Sequence, residues 1–253
     1  MDKIKVGAVS YLNTKPLLFG IEQSEELRNE MDLMVDYPSR IATLLLNNEI
    51  DLGLVPVAII PKMKEHFIVS DYCIGAIEGV ASVALFSEVP LHNIQKVLLD
   101  YQSNTSINLA RVLMRFHWNM DVELLPGGKN YISEMKGATA GVVIGDRALH
   151  QRKISPYIYD LAKGWIEMTG LPFVFAAWIA NKKLPDSFIQ KFNEANGLGF
   201  EYLDEVIAQN PFPDYDLNTY YRKNLSFQLD GLKRKGLSKF LQLLEEMKTE
   251  KAV

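Results

Sequence analysis

The sequence predicts an α/β protein folded as two lobes, each a mixed sheet with helices on both faces, joined by two crossover strands. Three observations carry that reading. Short apolar strand signals alternate with amphipathic helical stretches from the start of the chain, the pattern of βαβ units in a mainly parallel sheet. Two apolar runs, residues 73–86 and 173–179, are longer than one ordinary strand needs and stand where a chain would leave one lobe and later return. After Asp186 only helical periodicity remains, so the C-terminal part packs back onto the lobe built first.

The elements follow in order. Ile4-Lys5-Val6-Gly7-Ala8-Val9 reads as a buried strand, and Asn13-Thr14-Lys15-Pro16 supplies a cap candidate and an early-turn proline ahead of a helix through Leu17-Leu18-Phe19. Leu33-Met34-Val35 is a second strand. Ser39 then caps a helix with Ile41, Leu44 and Leu45 on one face, and Leu52-Gly53-Leu54-Val55 is a third strand. A second unit opens with Val97-Leu98-Leu99 as strand and a polar loop at 100–105. Its helix places Leu109, Val112, Leu113 and Phe116 at i, i+3, i+4 and i+7, and further strands fall at 122–125, 141–144 and 157–159. From Asp186, itself a cap candidate, the pattern is helical to about Lys248, broken near Pro211, Pro213, Gly231 and Gly236, with no strand signal. The expected division is a discontinuous first domain of residues 1–86 and 178–253, an inserted second domain of 87–177, and a ligand cleft between them.

Composition narrows the function. The 27 Lys+Arg against 31 Asp+Glu give a net charge of −4, which argues against a basic nucleic-acid surface. A hydrophobic fraction of 48% with only 16 Gly and 11 Pro builds a large core and excludes disordered and fibrous chains. The single cysteine, Cys73, forms no internal disulfide and no multi-thiolate zinc site. No stretch approaches the roughly 20 uninterrupted apolar residues of a membrane helix, and the opening segment is too short for a signal-peptide core. A cytoplasmic protein with neither nucleic-acid nor membrane partner is expected.

Several strand ends are followed by small polar residues: Ser10-Tyr11-Leu12-Asn13-Thr14 after the first strand, and Ser103-Asn104-Thr105-Ser106 opening a helix. Ligands of open α/β sheets gather at the carboxyl ends of strands, and a helix N-terminus presents free N–H groups to an anion. The two loops are therefore candidates to hold a small carboxylate-bearing molecule, although a plain helix cap at Ser103 or Asn104 is the simpler account of the second. At Gly145-Asp146-Arg147, Asp146 can act as a base or orient a hydroxyl and Arg147 can pair with a carboxylate. An N-cap with a surface arginine explains that string as well. In Asp51-Leu52-Gly53-Leu54-Val55-Pro56 the glycine admits a close ligand or backbone, and a bulge does the same. His66, His92, His117 and His150 show no paired metal-ligand spacing. GxGxxG, Walker A and GxSxG are missing, and Gly127-Gly128-Lys129 lacks the upstream glycine of a P-loop.

At Val6-Gly7-Ala8-Val9-Ser10-Tyr11-Leu12-Asn13-Thr14-Lys15-Pro16-Leu17 the sequence resembles the chorismate dehydratase family, which opens the futalosine route to menaquinone. The residue 51–57 string, Ser82-Val83-Ala84-Leu85-Phe86-Ser87, the 100–106 loop, Gly145-Asp146-Arg147-Ala148-Leu149 and Thr169-Gly170-Leu171-Pro172-Phe173-Val174-Phe175-Ala176 agree in order, so the resemblance spans nearly the whole chain. It implies a type II periplasmic-binding-protein-like fold and loss of water from chorismate to give 3-[(1-carboxyvinyl)oxy]benzoate, without metal or cofactor. Carried over by motif, Asn13 is the catalytic hydrogen-bond donor and Asp146 an orienting group or base. Ser82, Thr105 and Ser106 bind the substrate carboxylates, Ser106 and its backbone N–H foremost. Ser10, Tyr11, Pro56, Ser103 and Gly145 complete the binding set. A non-catalytic small-carboxylate solute-binding protein and the related dihydroxynaphthoate synthase of the same pathway stay open as alternatives.

Overall fold

The computed structural model describes residues 3–249. The chain opens with β1 (Ile4–Val9), a 3-10 turn at Leu12–Thr14, α1 (Lys15–Gln23), α2 (Glu25–Glu30), β2 (Met31–Asp36), α3 (Pro38–Leu46) and β3 (Leu52–Pro56). A second 3-10 turn, Val57–Lys62, leads to β4 (Phe67–Ala76). It continues with β5 (Val83–Ser87), β6 (Lys96–Leu99), α4 (Asn104–Phe116), β7 (Glu123–Pro126), β8 (Thr139–Ile144), α5 (Asp146–Gln151), β9 (Tyr157–Asp160) and α6 (Leu161–Thr169). The return consists of β10 (Phe173–Ala180), α7 (Asp186–Glu201), α8 (Leu203–Gln209), α9 (Leu217–Thr219), a π-helical turn at Tyr220–Asn224, β11 (Ser226–Gln228) and α10 (Gly231–Thr249).

The strands form two mixed sheets. The first has six strands in the order β11-β4-β10-β3-β1-β2, the second five in the order β7-β6-β8-β5-β9. β1 pairs in parallel with β2 and β3, whereas β10 runs antiparallel to both β3 and β4. All eight residues of β10 are buried, as expected of a strand flanked by neighbours and covered on both faces. Trp178 there donates its ring N–H to Asn196 of α7 at 2.9 Å, so a large apolar ring is buried without orphaning its one polar atom.

Five expectations change. The apolar run 73–86 is two strands in different sheets, β4 and β5, and the run at 173–179 lies wholly in the first sheet. The chain therefore passes between sheets within residues 77–82 and 170–172, not at 86/87 and 177/178. Residues 1–2 and 250–253 of the expected first domain lie outside the described residues. Ser39 is not a cap: Tyr37 holds that position ahead of Pro38, and Asp186 is the first helical residue after Pro185. The C-terminal part does contain a strand, β11, which adds to the edge of β4. Gly231 starts α10 and Gly236 lies inside it; a Cβ on Gly236 would stand 2.0 Å from the Pro172 carbonyl, so the glycine serves close packing and breaks nothing.

Candidate functional site

The site is built where strand ends of the two sheets face each other. Pairing sets Ala176 of β10 opposite both Pro56 of β3 and Ile74 of β4, giving a short apolar row across the first sheet. In the second sheet β5 and β8 pair Val83 with Ile144, which brings the next residues together: Gly145 donates its N–H to the Ser82 carbonyl at 2.8 Å. Between these surfaces lies a hollow of about 460 Å³, counting its open mouth. Tyr11, Asn13, Pro56, Ser82, Ser103, Ser106 and Gly145 line it, so seven of the ten residues singled out in the sequence meet there. The other three do not reach it.

Asn13 sits in the 3-10 turn after β1, and the cap position ahead of α1 belongs to Thr14, whose hydroxyl donates to Asn13 Oδ1 at 3.2 Å. Asn13 is therefore a wall residue and not a helix cap. The turn carrying it is held from both sides: Leu12 N–H donates to Asp146 Oδ1 at 3.2 Å, and the Tyr221 hydroxyl donates to the Leu12 carbonyl at 2.9 Å. Asp146 thus stands behind the turn. Burial pushes its carboxyl above the usual range, with the Leu12 N–H, Lys15 and Arg147 pulling the other way. Ser10 is exposed outside the hollow, its N–H donating to the Asp36 carbonyl.

Ser103 is both cap and wall. Its Oγ accepts from Ser106 N–H at 3.3 Å and from the Ser106 hydroxyl at 3.1 Å. The Ser106 N–H expected to meet substrate is thus already engaged, as is the Ser106 hydroxyl proton, and the free donor of the pair is the Ser103 hydroxyl. Thr105, fully buried, turns away and accepts from the Ala58 N–H at 3.0 Å, tying α4 to the 57–62 turn. The remaining first-turn N–H groups of the 13-residue α4 give that wall a positive end.

Charge is kept behind the lining. Arg147 binds Asp100 Oδ2 and Gln102 Oε1, each at 2.7 Å, and Gln102 Oε1 also accepts the Tyr11 hydroxyl. Asp100 is fully buried, and that burial raises its carboxyl against the opposing pull of Arg147 and the Tyr131 hydroxyl. This chain of polar groups fixes the Tyr11 ring, whose carbons lie 3.1 Å from where a Cβ on Gly145 would be. The lining itself carries no charged side chain. Among the described residues no group of three or more His, Cys, Asp or Glu gathers to hold a metal ion, and no helix is long and apolar enough to cross a membrane.

Sequence reasoning missed Phe175, Ala176, Ile74 and Val80, which supply much of the apolar wall, and Gln102, which anchors Tyr11. Phe175 and Ala176 stand in a string that was read as crossover. Only the strand register, which sets Ala176 against Pro56, shows that they face the hollow.

Fold and hollow together define a two-lobed α/β protein with a periplasmic-binding-protein-like fold. A crystal structure of a protein from Archaeoglobus fulgidus superposes with a TM-score of 0.74 at 14% identity, covering 98% of each chain. The periplasmic aliphatic sulphonate binding protein SsuA of Escherichia coli superposes with a TM-score of 0.66 at 15% identity, covering 98% of this chain and 94% of that one. Residues 4–246 match the family model described as menaquinone biosynthesis, and the chain belongs to that family. It is also 27% identical to the chorismate dehydratase of Thermus thermophilus, over 82% of this chain and 84% of that protein.

Proposed function

We propose that the hollow binds chorismate and that the chain removes water from it to give 3-[(1-carboxyvinyl)oxy]benzoate, a hydro-lyase reaction of menaquinone biosynthesis in the cytoplasm. The observation that carries this reading is the lining: uncharged polar side chains of Asn13, Ser82, Ser103 and Ser106 converge on an apolar-walled hollow in a chain related to a chorismate dehydratase. A dianion suits neutral donors and a helix N-terminus, which hold its carboxylates without bringing a counter-charge that would have to be desolvated.

The chemistry asks little beyond placement. Loss of the ring hydroxyl and the neighbouring proton aromatises the ring, so the drive lies in the substrate, and no oxidant or reductant enters the balance. Asn13 cannot serve as a base, but its amide N–H can donate to the departing hydroxyl as charge develops there. Asp146, held behind the turn, acts as a positioning residue for Asn13. One of the substrate's own carboxylates is left as the proton acceptor. We further infer that residues 77–82 and 170–172 are the hinges about which the lobes close on the substrate.

The test is direct. Purified protein incubated with chorismate, with no metal or nucleotide added, is expected to develop the absorbance of the new aromatic ring and to yield one product of the mass of chorismate less water. Chorismate that binds but is recovered unchanged would favour the solute-binding alternative.

A further inference from the structure

Two buried hydroxyls make no well-formed hydrogen bond among the described residues, and they are neighbours. Ser82 Oγ and Tyr220 Oη are each buried from water and in no well-formed hydrogen bond, and each is the polar group that faces the other. A buried hydroxyl with no well-formed hydrogen bond costs free energy, and proteins rarely leave two side by side without a use for them.

Everything around the pair is fixed. Ser82 follows Ala81, whose φ of +62° is the left-handed region alanine avoids, and Ser82 N–H donates to the Val80 carbonyl at 2.7 Å across that tight turn. Asp160 holds the turn by accepting from Val80 N–H at 3.1 Å and Ala81 N–H at 2.8 Å, while the Ser82 carbonyl accepts from Gly145. Backbone strain of this kind persists where the surroundings over-determine it, and it collects at functional sites. Tyr220 opens the π-helical turn, an uncommon form also concentrated at such sites, and its ring is wedged between Tyr215 and Tyr221. Ser82 lines the hollow; Tyr220 stands behind it.

We propose that Ser82 and Tyr220 form a relay that completes a carboxylate subsite in the hollow, Tyr220 donating to Ser82 Oγ and Ser82 donating its own proton to a ligand carboxylate. Two hydroxyls donating in series leave one proton that needs an acceptor at the end, and a carboxylate oxygen is the strongest acceptor a dianionic ligand offers. The Tyr220 proton polarises the Ser82 hydroxyl and makes it a stronger donor. Tyr220 is a positioning residue, since it reaches the ligand only through Ser82. The relay rests on the reading that the hollow takes a carboxylate, though not on dehydration.

Calorimetric titration of wild type, Tyr220→Phe, Ser82→Ala and the double variant with chorismate, and separately with benzoate as a bare carboxylate, tests the relay. Each single variant is expected to weaken both ligands by about tenfold, and the double variant by no more than Ser82→Ala alone. Ligand-free Tyr220→Phe is expected to melt no lower than wild type, because it sheds a buried hydroxyl that makes no well-formed hydrogen bond; a merely structural tyrosine would melt lower. Wild-type affinity in Tyr220→Phe, losses that multiply in the double variant, or a wild-type protein that binds neither ligand overturns the relay. A protein that shows the expected losses with benzoate yet does not dehydrate chorismate keeps the relay and loses the dehydratase reading.

Discussion

Gly145 meets two demands that no other residue satisfies together. Its φ of +64° with ψ of −148° lies in a region reserved for glycine, and the Tyr11 ring occupies the space a side chain would take. Gly145→Ala is expected to cost about 1–3 kcal/mol in a urea melt and to raise the KM for chorismate by displacing Tyr11. At Asn13 the expectation is the reverse partition. Asn13→Ala removes a donor used as charge develops, so kcat falls by the equivalent of about 2–4 kcal/mol while affinity survives. Steady-state kinetics read both, and turnover near wild type would take Asn13 out of the mechanism. The place of Asn13 in the wall of the hollow was legible from its motif, whereas the buried hydroxyl of Tyr220 was not, because adjacent aromatics in a helical stretch look like ordinary packing in the sequence.

Among the elements, α4 brings both its cap and a first-turn side chain, Ser103 and Ser106, to the hollow. Its cap, Ser103, also faces the hollow, so one side chain terminates a helix and shapes a binding wall. Ser103→Ala is expected to lower stability by about 1 kcal/mol and, unlike an ordinary cap change, to weaken chorismate binding as well; isothermal titration beside a denaturant melt separates the two. The helix pattern at 104–116 and its cap could be read directly from i, i+3, i+4 spacing. The turn of Thr105 toward Ala58 could not, because it depends on the 57–62 turn packing against the same helix. β11 escaped for a similar reason: three residues, Ser226–Gln228, carry too little periodicity to stand out, and they are extended because β4 offers them an edge. Sequence pattern reports local preference, and these features are set by partners distant in the chain.

On the scale of the whole molecule, the lobes are joined by bonds that run from one to the other: Leu12 to Asp146, Tyr11 to Gln102, Ala58 to Thr105, and His150 and Lys153 to Asp214. Asp146 gives this set a pH signature. Its folded carboxyl is raised by burial, so its favourable contribution is present below the usual carboxylate range and is lost as pH rises through the raised value. Asp146→Asn keeps an acceptor for the Leu12 N–H and removes the buried charge. Its urea midpoint is therefore expected to exceed the wild type at pH 7 and to converge on it near pH 4; a variant relatively stronger in acid would contradict the assignment. The two-lobed plan itself was legible from the alternation of strands and helices and from the two long apolar runs. The points of crossing were not, since a doubly buried strand looks alike in either sheet.

The place of β10 between β4 and β3 also dictates an order of assembly. As the polypeptide leaves the ribosome, β3 and β4 emerge early but share no edge; the strand that joins them comes more than 90 residues after β4. The five strands of the other lobe, β5 to β9, are by then all available in one uninterrupted segment. The insert is thus positioned to fold first, with the flanking lobe closing around it last. Nascent chains arrested after α6 should already protect residues 83–169 from protease while leaving β1 to β4 open to cleavage.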